Sequence, residues 1–467
     1  MKNCNLKLVG LSLLATPIVY CQQKQVIAKT NFIIVMADDL GYSDIGCFGN
    51  NVTKTPNLDK MAREGMLFSD CHSNGAVSTP TRTALLTGRY QQRAGLEGVI
   101  LENIPEHKIA GLQPEEVTFA NVLKDNGYRT AVVGKWHVGS MEKYNPLNHG
   151  FEKFVGFKTG NVDYQSHLDT QADLDWWDGL EKKDMPGYST ELISSAAINF
   201  ITQNKKVPFC LYVAHAVPHG PCQAPTDPAF RKLGRTKPLQ LSPKDYDATK
   251  SRREMIEYLD KTIGEMMSKI KDLGLEKKTL LVFMSDNGPL LKDGGLALPL
   301  REGKGSAYEG GHRVPGIMFM PGTIKAGTVC NQTVIGMDLF PTMVEMAGVN
   351  YKSEKKPLDG VSLLPIIKGG KITDRTLFWG LGLKSAVRDG KWKLVSILST
   401  SHNETDSVKP TKKVFLFDLD KDISEKNNLS NEFPEVAKSL ESKLEIWRND
   451  VKSQIPEQLQ QFIPIKK

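Results

Sequence analysis

The chain is poor in cysteine. It holds seven in 467 residues, none in a CxxC pair, so a zinc ribbon is excluded and no disulfide framework is indicated. Export would permit a bridge such as Cys210 to Cys222, which the sequence does not decide. There is no long basic run, so nucleic-acid binding is not indicated. There is no internal repeat and no low-complexity tract. Beyond the first 21 residues no stretch approaches the roughly 20 apolar residues that span a bilayer, so no membrane span is expected. The formal charge of +7 is mild for this length and suits an enzyme acting on polyanions.

What is present begins with a leader. Lys2 and Lys7 precede an apolar run from Leu8 to Val19, too short to cross a membrane and typical of a signal peptide covering residues 1–21. Tyr20 before Cys21 fits a lipoprotein signal poorly, so the expectation is export to the periplasm, with a secreted or lipid-anchored form less favoured. Further on, short β-branched runs alternate with amphipathic helices. Asn31–Met36, Tyr128–Val133, Pro208–Ala214 and Thr279–Met284 read as buried strands. Glu254–Leu273 carries apolar residues at three- and four-residue spacing. This alternation predicts an α/β sheet covered by helices on both faces, over residues 25–368. From 369 to 467 the pattern changes to hairpin-like runs and one helix near Phe433–Arg448, predicting a smaller antiparallel unit.

The stretch VSTPTRTALLTGRY, Val77–Tyr90, places Ser78 at the start of a helix with Pro80 in its first turn. That end of a helix favours an anion, although from these residues alone a simple helix cap is the better reading. Polar groups then recur at strand ends: Asp38-Asp39, Lys135 and His137, His219, and Asp286-Asn287. Open α/β sheets bind ligands there. The carboxylates and the amide are oxygen donors suited to Ca²⁺ or Mg²⁺ rather than zinc.

Ser-x-Pro-x-Arg followed by Leu-Leu-Thr-Gly-Arg, together with Gly-Lys-Trp-His at 134–137, Pro-His at 218–219, Gly-Lys-Gly at 303–305 and Tyr-Glu-Gly-Gly at 308–311, resembles the type I sulfatases, over about residues 30–395. The encoded serine resembles the bacterial branch. The resemblance implies an alkaline-phosphatase-like sandwich with a large mixed sheet. It implies that a maturation enzyme oxidises Ser78 to formylglycine and that Arg82 steadies it. Asp38, Asp39, Asp286, Asn287 and Ser78 itself would hold Ca²⁺. In the implied reaction a hydroxyl of the hydrated aldehyde attacks sulfur while Lys135 and Lys304 hold the sulfate oxygens. His219 serves as general acid, and His137 assists release of sulfate from the second hydroxyl. The segment 150–169 resembles arylsulfatase B and suggests Asp163 and His167 as sugar contacts; Trp177 and Asp178 are added as a stacking face and an acid. The implied substrate is a sulfated N-acetylgalactosamine or galactose in a glycan, cut at a chain end, with 4-O favoured over 6-O and 3-O. A phosphatase or phosphodiesterase of the same superfamily, with two zinc ions, and a catalytically dead glycan-binding homologue are the alternatives. His215 has no counterpart in the pattern and reads as structural.

Overall fold

The computed structural model describes residues 29–234, 246–399 and 411–452; the leader lies outside them. A ten-stranded mixed sheet forms the centre. Its heart is five parallel strands, in spatial order Thr279–Ser285, Asn31–Ala37, Phe209–Ala214, Arg129–Lys135 and Lys153–Phe157. Each is a run of buried apolar residues, as a strand covered on both faces requires. Phe32, Ile34 and Met36 point into one core layer, while Ile33, Val35 and Ala37 point into the other, the two-residue alternation of a pleated strand.

The sheet is extended at both sides by reversed strands. Gly316–Phe319 pairs antiparallel with Thr279–Ser285, and the short Trp177–Asp178 pairs antiparallel with Lys153–Phe157. The parallel strands all run the same way, so their carboxyl ends open on one edge. That edge carries Asp38, Lys135, His215 and Asp286 within one residue of a strand terminus. Helix Ala248–Asp272 packs Met255, Ile256, Leu259, Ile263 and Met266 into one layer. It begins six residues before the periodicity predicts, capped by Asp247, whose side chain accepts the N–H groups of Thr249 and Lys250.

The second sheet has four antiparallel strands, Leu377–Leu381, Lys384–Asp389, Trp392–Ser399 and Thr411–Asp418. Helix Pro434–Lys452 covers it through Leu440, Leu444 and Trp447. A buried charged cluster joins this sheet to the short helix Glu309–His312 and to the short strand Cys71–His72. Lys393 Nζ lies 2.9 Å from Glu309 Oε1, 3.0 Å from Glu425 Oε1 and 3.1 Å from His312 Nε2. His312 meets His72 across 2.9 Å, and His72 meets Asp70 at 2.8 Å. Arg388 closes the chain on Asp70 at 2.8 Å. Cys210 and Cys222 are both unpaired thiols.

Candidate active site

Ser78 opens the helix Ser78–Thr87, every residue of which is buried. Its hydroxyl donates to Asp286 Oδ2 at 2.6 Å and lies 3.2 Å from Asp38 Oδ1. Lys135, the last residue of its strand, donates to Ser78 Oγ at 3.2 Å and to Asp38 Oδ2 at 2.5 Å. One helical turn after Ser78, Arg82 reaches back under it. Its guanidinium donates to Asp286 Oδ2 at 2.9 Å, to the Lys135 carbonyl at 3.1 Å and to Tyr212 Oη at 3.3 Å.

Asp39 takes a positive φ of 62°, a conformation unusual for a residue with a side chain, and its carboxylate lies near enough to Asp38 and His219 for the three to share a metal ion. Lys304 pairs with it at 2.8 Å, and Asn287 Nδ2 donates to its Oδ1 at 2.7 Å. Asn287 Oδ1 is buried with no hydrogen-bond partner. His219 lies 3.8 Å from Asp39 through Nε2, and its Nδ1 is held by the Gly220 carbonyl at 2.7 Å. A carbonyl only accepts, so Nδ1 carries a proton and Nε2 is the nitrogen that can exchange one. His137 is fixed the other way: Nε2 donates to the Ile100 carbonyl at 2.9 Å, and Nδ1 is buried without a partner.

Burial by itself would push the Asp38 and Asp39 carboxyls up. Lys135, His219 and Arg82 around Asp38, and His219 and Lys304 around Asp39, outweigh it and hold both below the usual range. Burial, reinforced by Lys135, holds His137 well below the ordinary imidazole value. It is therefore neutral near pH 7, and Nδ1 is a free acceptor. The site is thus a cluster of ionised carboxylates, two ammonium groups, a guanidinium, a neutral His137 and the proton-exchanging His219, gathered round one hydroxyl. Its donor set, Asp38, Asp39, Asp286 and Asn287, is oxygen only, and the unpartnered Asn287 oxygen is what a hard divalent cation would satisfy.

The four residues expected to touch sugar are placed differently. Asp163 is fully buried and accepts from the N–H groups of Gln165, Ser166, Phe230 and Arg231 and from Gln223 Nε2. Those five donors occupy its carboxylate inside a loop. His167 is 1% exposed and lies against Trp176, ring centroids 4.5 Å apart. Trp177 and Asp178 sit on a short outlying strand next to the edge strand Glu181–Lys182, Trp177 beneath Lys158 Nζ at 3.7 Å and Asp178 paired with Lys183 at 3.0 Å. Asp163 and His167 are therefore too deeply buried to reach a sugar. His215 is fully buried with neither ring nitrogen partnered, and burial lowers it to about 3, so it stays neutral.

Some supporting residues escape a reading by motif. Arg252 donates to the Asp39 carbonyl at 3.0 Å and pairs with Asp44 at 2.6 Å, bracing the strained turn. Its spacing from Met255, Ile256 and Leu259 on the buried face of its helix was the available signal. Tyr212 supports Arg82 from a strand interior, where nothing distinguishes it from other core aromatics.

A model of the sulfatase family matches residues 30–349. The chain belongs to the sulfatase family. It is a sulfuric ester hydrolase, with carbohydrate sulfatases among its relatives. A second model, N-sulphoglucosamine sulphohydrolase C-terminal, matches residues 303–450. N-acetylgalactosamine-6-sulfatase of Canis lupus familiaris is 32% identical over 385 residues, covering 78% of this chain and 71% of its own. Arylsulfatase A of Homo sapiens is 32% identical over 466 residues, covering 88% and 86%. Among solved structures, Ps i-CgsB in complex with k-i-k-neocarrahexaose superposes with a TM-score of 0.77 at 28% identity, covering 90% of this chain and 92% of that one. No helix among the described residues is long and apolar enough to cross a membrane.

Proposed function

We propose that this sulfatase removes sulfate from N-acetylgalactosamine or galactose at the end of a glycan chain. We further propose that it works with formylglycine made from Ser78 and with Ca²⁺ held by Asp38, Asp39, Asp286 and Asn287, in the periplasm. The observation that carries the reading is the Ser78 hydroxyl held between Asp286, Asp38 and Lys135 at 2.6 to 3.2 Å, with an unpartnered buried oxygen on Asn287. The N-acetylgalactosamine-6-sulfatases among the relatives, and the carrahexaose-bound structural neighbour, support the sugar class.

The chain's own residues then divide the work. Lys135 and Lys304 present ammonium groups to the sulfate oxygens, so that a nucleophile can approach an anionic ester. Arg82 anchors the nucleophile's helix to Asp286 and keeps that carboxylate aimed at position 78. His219, its Nδ1 committed to Gly220, delivers a proton from Nε2 to the departing sugar oxygen. His137, neutral with Nδ1 free, takes a proton when sulfate leaves. Calcium supplies positive charge to the acids and to an adjacent hydroxyl. Formylglycine supplies, when hydrated, the second hydroxyl that a plain serine lacks for releasing the product.

The preference for a 4-O ester rested on the resemblance of segment 150–169 to arylsulfatase B, whose candidate contacts Asp163 and His167 are buried, so 4-O, 6-O and 3-O esters enter the test on equal terms. The experiment is a panel of these monosulfated sugars, with the matching phosphate esters, assayed on protein matured in a host that makes formylglycine. Mass analysis of the peptide containing residue 78 accompanies it. Turnover of a sulfated sugar with a Ser78 residue lighter by two hydrogens is expected. Turnover of phosphate esters alone, with Ser78 unmodified and zinc bound, would favour the phosphatase alternative.

A further inference from the structure

One carboxyl in the loop tied to the Ser78 helix and to His137 has no part in the reaction described so far. Thr79, the neighbour of Ser78, accepts the Ile100 N–H at 3.1 Å and donates to the His137 carbonyl at 3.0 Å. The Ile100 carbonyl in turn accepts His137 Nε2. The loop following Ile100 is thereby tied to both the nucleophile's helix and the imidazole. Two residues on, Glu102 accepts the Gly160 N–H through Oε1 at 2.9 Å. Gly160 packs directly on the His137 ring: a Cβ at that position would fall 2.8 Å from Nε2.

Glu102 is therefore a part-exposed acid, fixed in direction, one residue removed from His137. Among the described residues no side chain donates to its Oε2 and no cation pairs with it. A carboxyl so placed would be an odd choice beside a bound sulfate if it were always ionised. Burial, opposed weakly by Lys135 and aided by Asp175, raises it to about 7, so a large fraction is neutral near pH 7 and like-charge repulsion is reduced. A group that both accepts and donates is matched by a hydroxyl, which does the same.

We propose that Glu102 is a specificity-determining residue whose carboxyl binds a hydroxyl of the leaving sugar next to the scissile ester; this rests on the sulfatase reading above. Loss of one such contact is worth about tenfold in kcat/KM, and it is lost only for substrates that carry the hydroxyl.

The test compares a sulfated monosaccharide, its deoxy analogue lacking the neighbouring hydroxyl, and an aryl sulfate. Glu102→Ala is expected to lower kcat/KM about tenfold more on the sulfated sugar than on the other two. Glu102→Gln, which keeps both the Gly160 bond and a hydrogen-bonding tip, is expected to restore most of that ratio. Equal losses on all three substrates would show that Glu102 only holds the loop against His137 and would overturn the proposal, as would no loss on any. Equilibrium binding of the same sugars to the Ser78→Ala chain, with and without Glu102→Ala, reads the ratio without turnover. If the parent hydrolyses no sulfate ester, the sulfatase reading fails while the binding ratio still decides Glu102.

Discussion

The sulfatase contains two buried charged clusters made of similar parts, and they end in opposite states. Around Ser78 lie three aspartates, two lysines, an arginine and two histidines; around Lys393 lie Glu309, Glu425, Asp70, His72, His312, Arg313 and Arg388. In the second cluster an ammonium sits in the middle, within 3.1 Å of Glu309, Glu425 and His312. His72, Glu309 and His312 are near enough together to hold a metal ion, but the lysine already supplies the cation. In the first cluster the lysines stand to the sides and the Asn287 oxygen is unanswered. A closed cluster joins two sheets; an open one asks for a ligand. Buried polar networks are costly unless satisfied, so the open one is where chemistry is to be sought.

The comparison breaks most sharply at Ser78. Ser78→Ala should lower sulfate-ester turnover by about a thousandfold or more and leave the melting temperature within a few degrees, because only a hydroxyl is removed. Near-normal turnover would sink the assignment of the nucleophile. Lys393→Met should do the reverse. Removing one partner from a buried pair leaves uncompensated charge and costs about 3–5 kcal/mol, read as a fall in the denaturant midpoint. A loss under ~1 kcal/mol would show that the cluster is not closed by Lys393.

Calcium should then distinguish the clusters. Saturation at about a hundred times Kd stabilises by roughly 2.7 kcal/mol, so the parent should melt higher with Ca²⁺ than with a chelator. Asp286→Asn should lose most of that increment, and Lys393→Met should keep it. An increment lost in Lys393→Met and kept in Asp286→Asn would place the ion in the wrong cluster.

The open cluster was legible in the sequence and the closed one was not. Asp38, Lys135 and Asp286 each lie at the end of a short apolar run, so a sheet edge could be inferred from local pattern alone, whereas Ser78 stood out from an ordinary helix cap only through the resemblance to the type I sulfatases. Lys393 and Arg388 come from the second sheet and Glu425 from the segment that follows it, and nothing local in the Lys-Trp-Lys-Leu-Val run at 391–395 says that its second lysine will be fully buried. The same limit explains the sugar contacts. Asp163 was suggested by the resemblance of segment 150–169 to arylsulfatase B, but the loop closes on it with donors from residues up to 68 positions away. Arg252 shows the converse: the helix began earlier than its apolar period, because an arginine paired with Asp44 can occupy a core position.

The smallest effect expected concerns Glu425, which tests how completely the second cluster is closed. Burial, opposed by Lys393 and aided by the Glu309 charge, raises its carboxyl to about 7. Lys393 and Glu309 face its side chain, and the Glu309 N–H donates to its Oε2 at 2.6 Å. A raised folded-state value means that the folded protein holds the proton more tightly. The stability this gives is full below the unfolded value of 4.5 and declines as pH rises through about 7. His72 and His312 act in the opposite sense, since burial lowers both and stability rises with pH through the unfolded histidine value. Their contributions overlap in the parent, so the readout is the difference between parent and Glu425→Gln. Denaturant midpoints taken from pH 4.5 to 8 should show Glu425→Gln gaining on the parent as pH rises. Parallel curves would mean that Lys393 neutralises Glu425 fully across the range, making the cluster an ion pair shared equally between both glutamates.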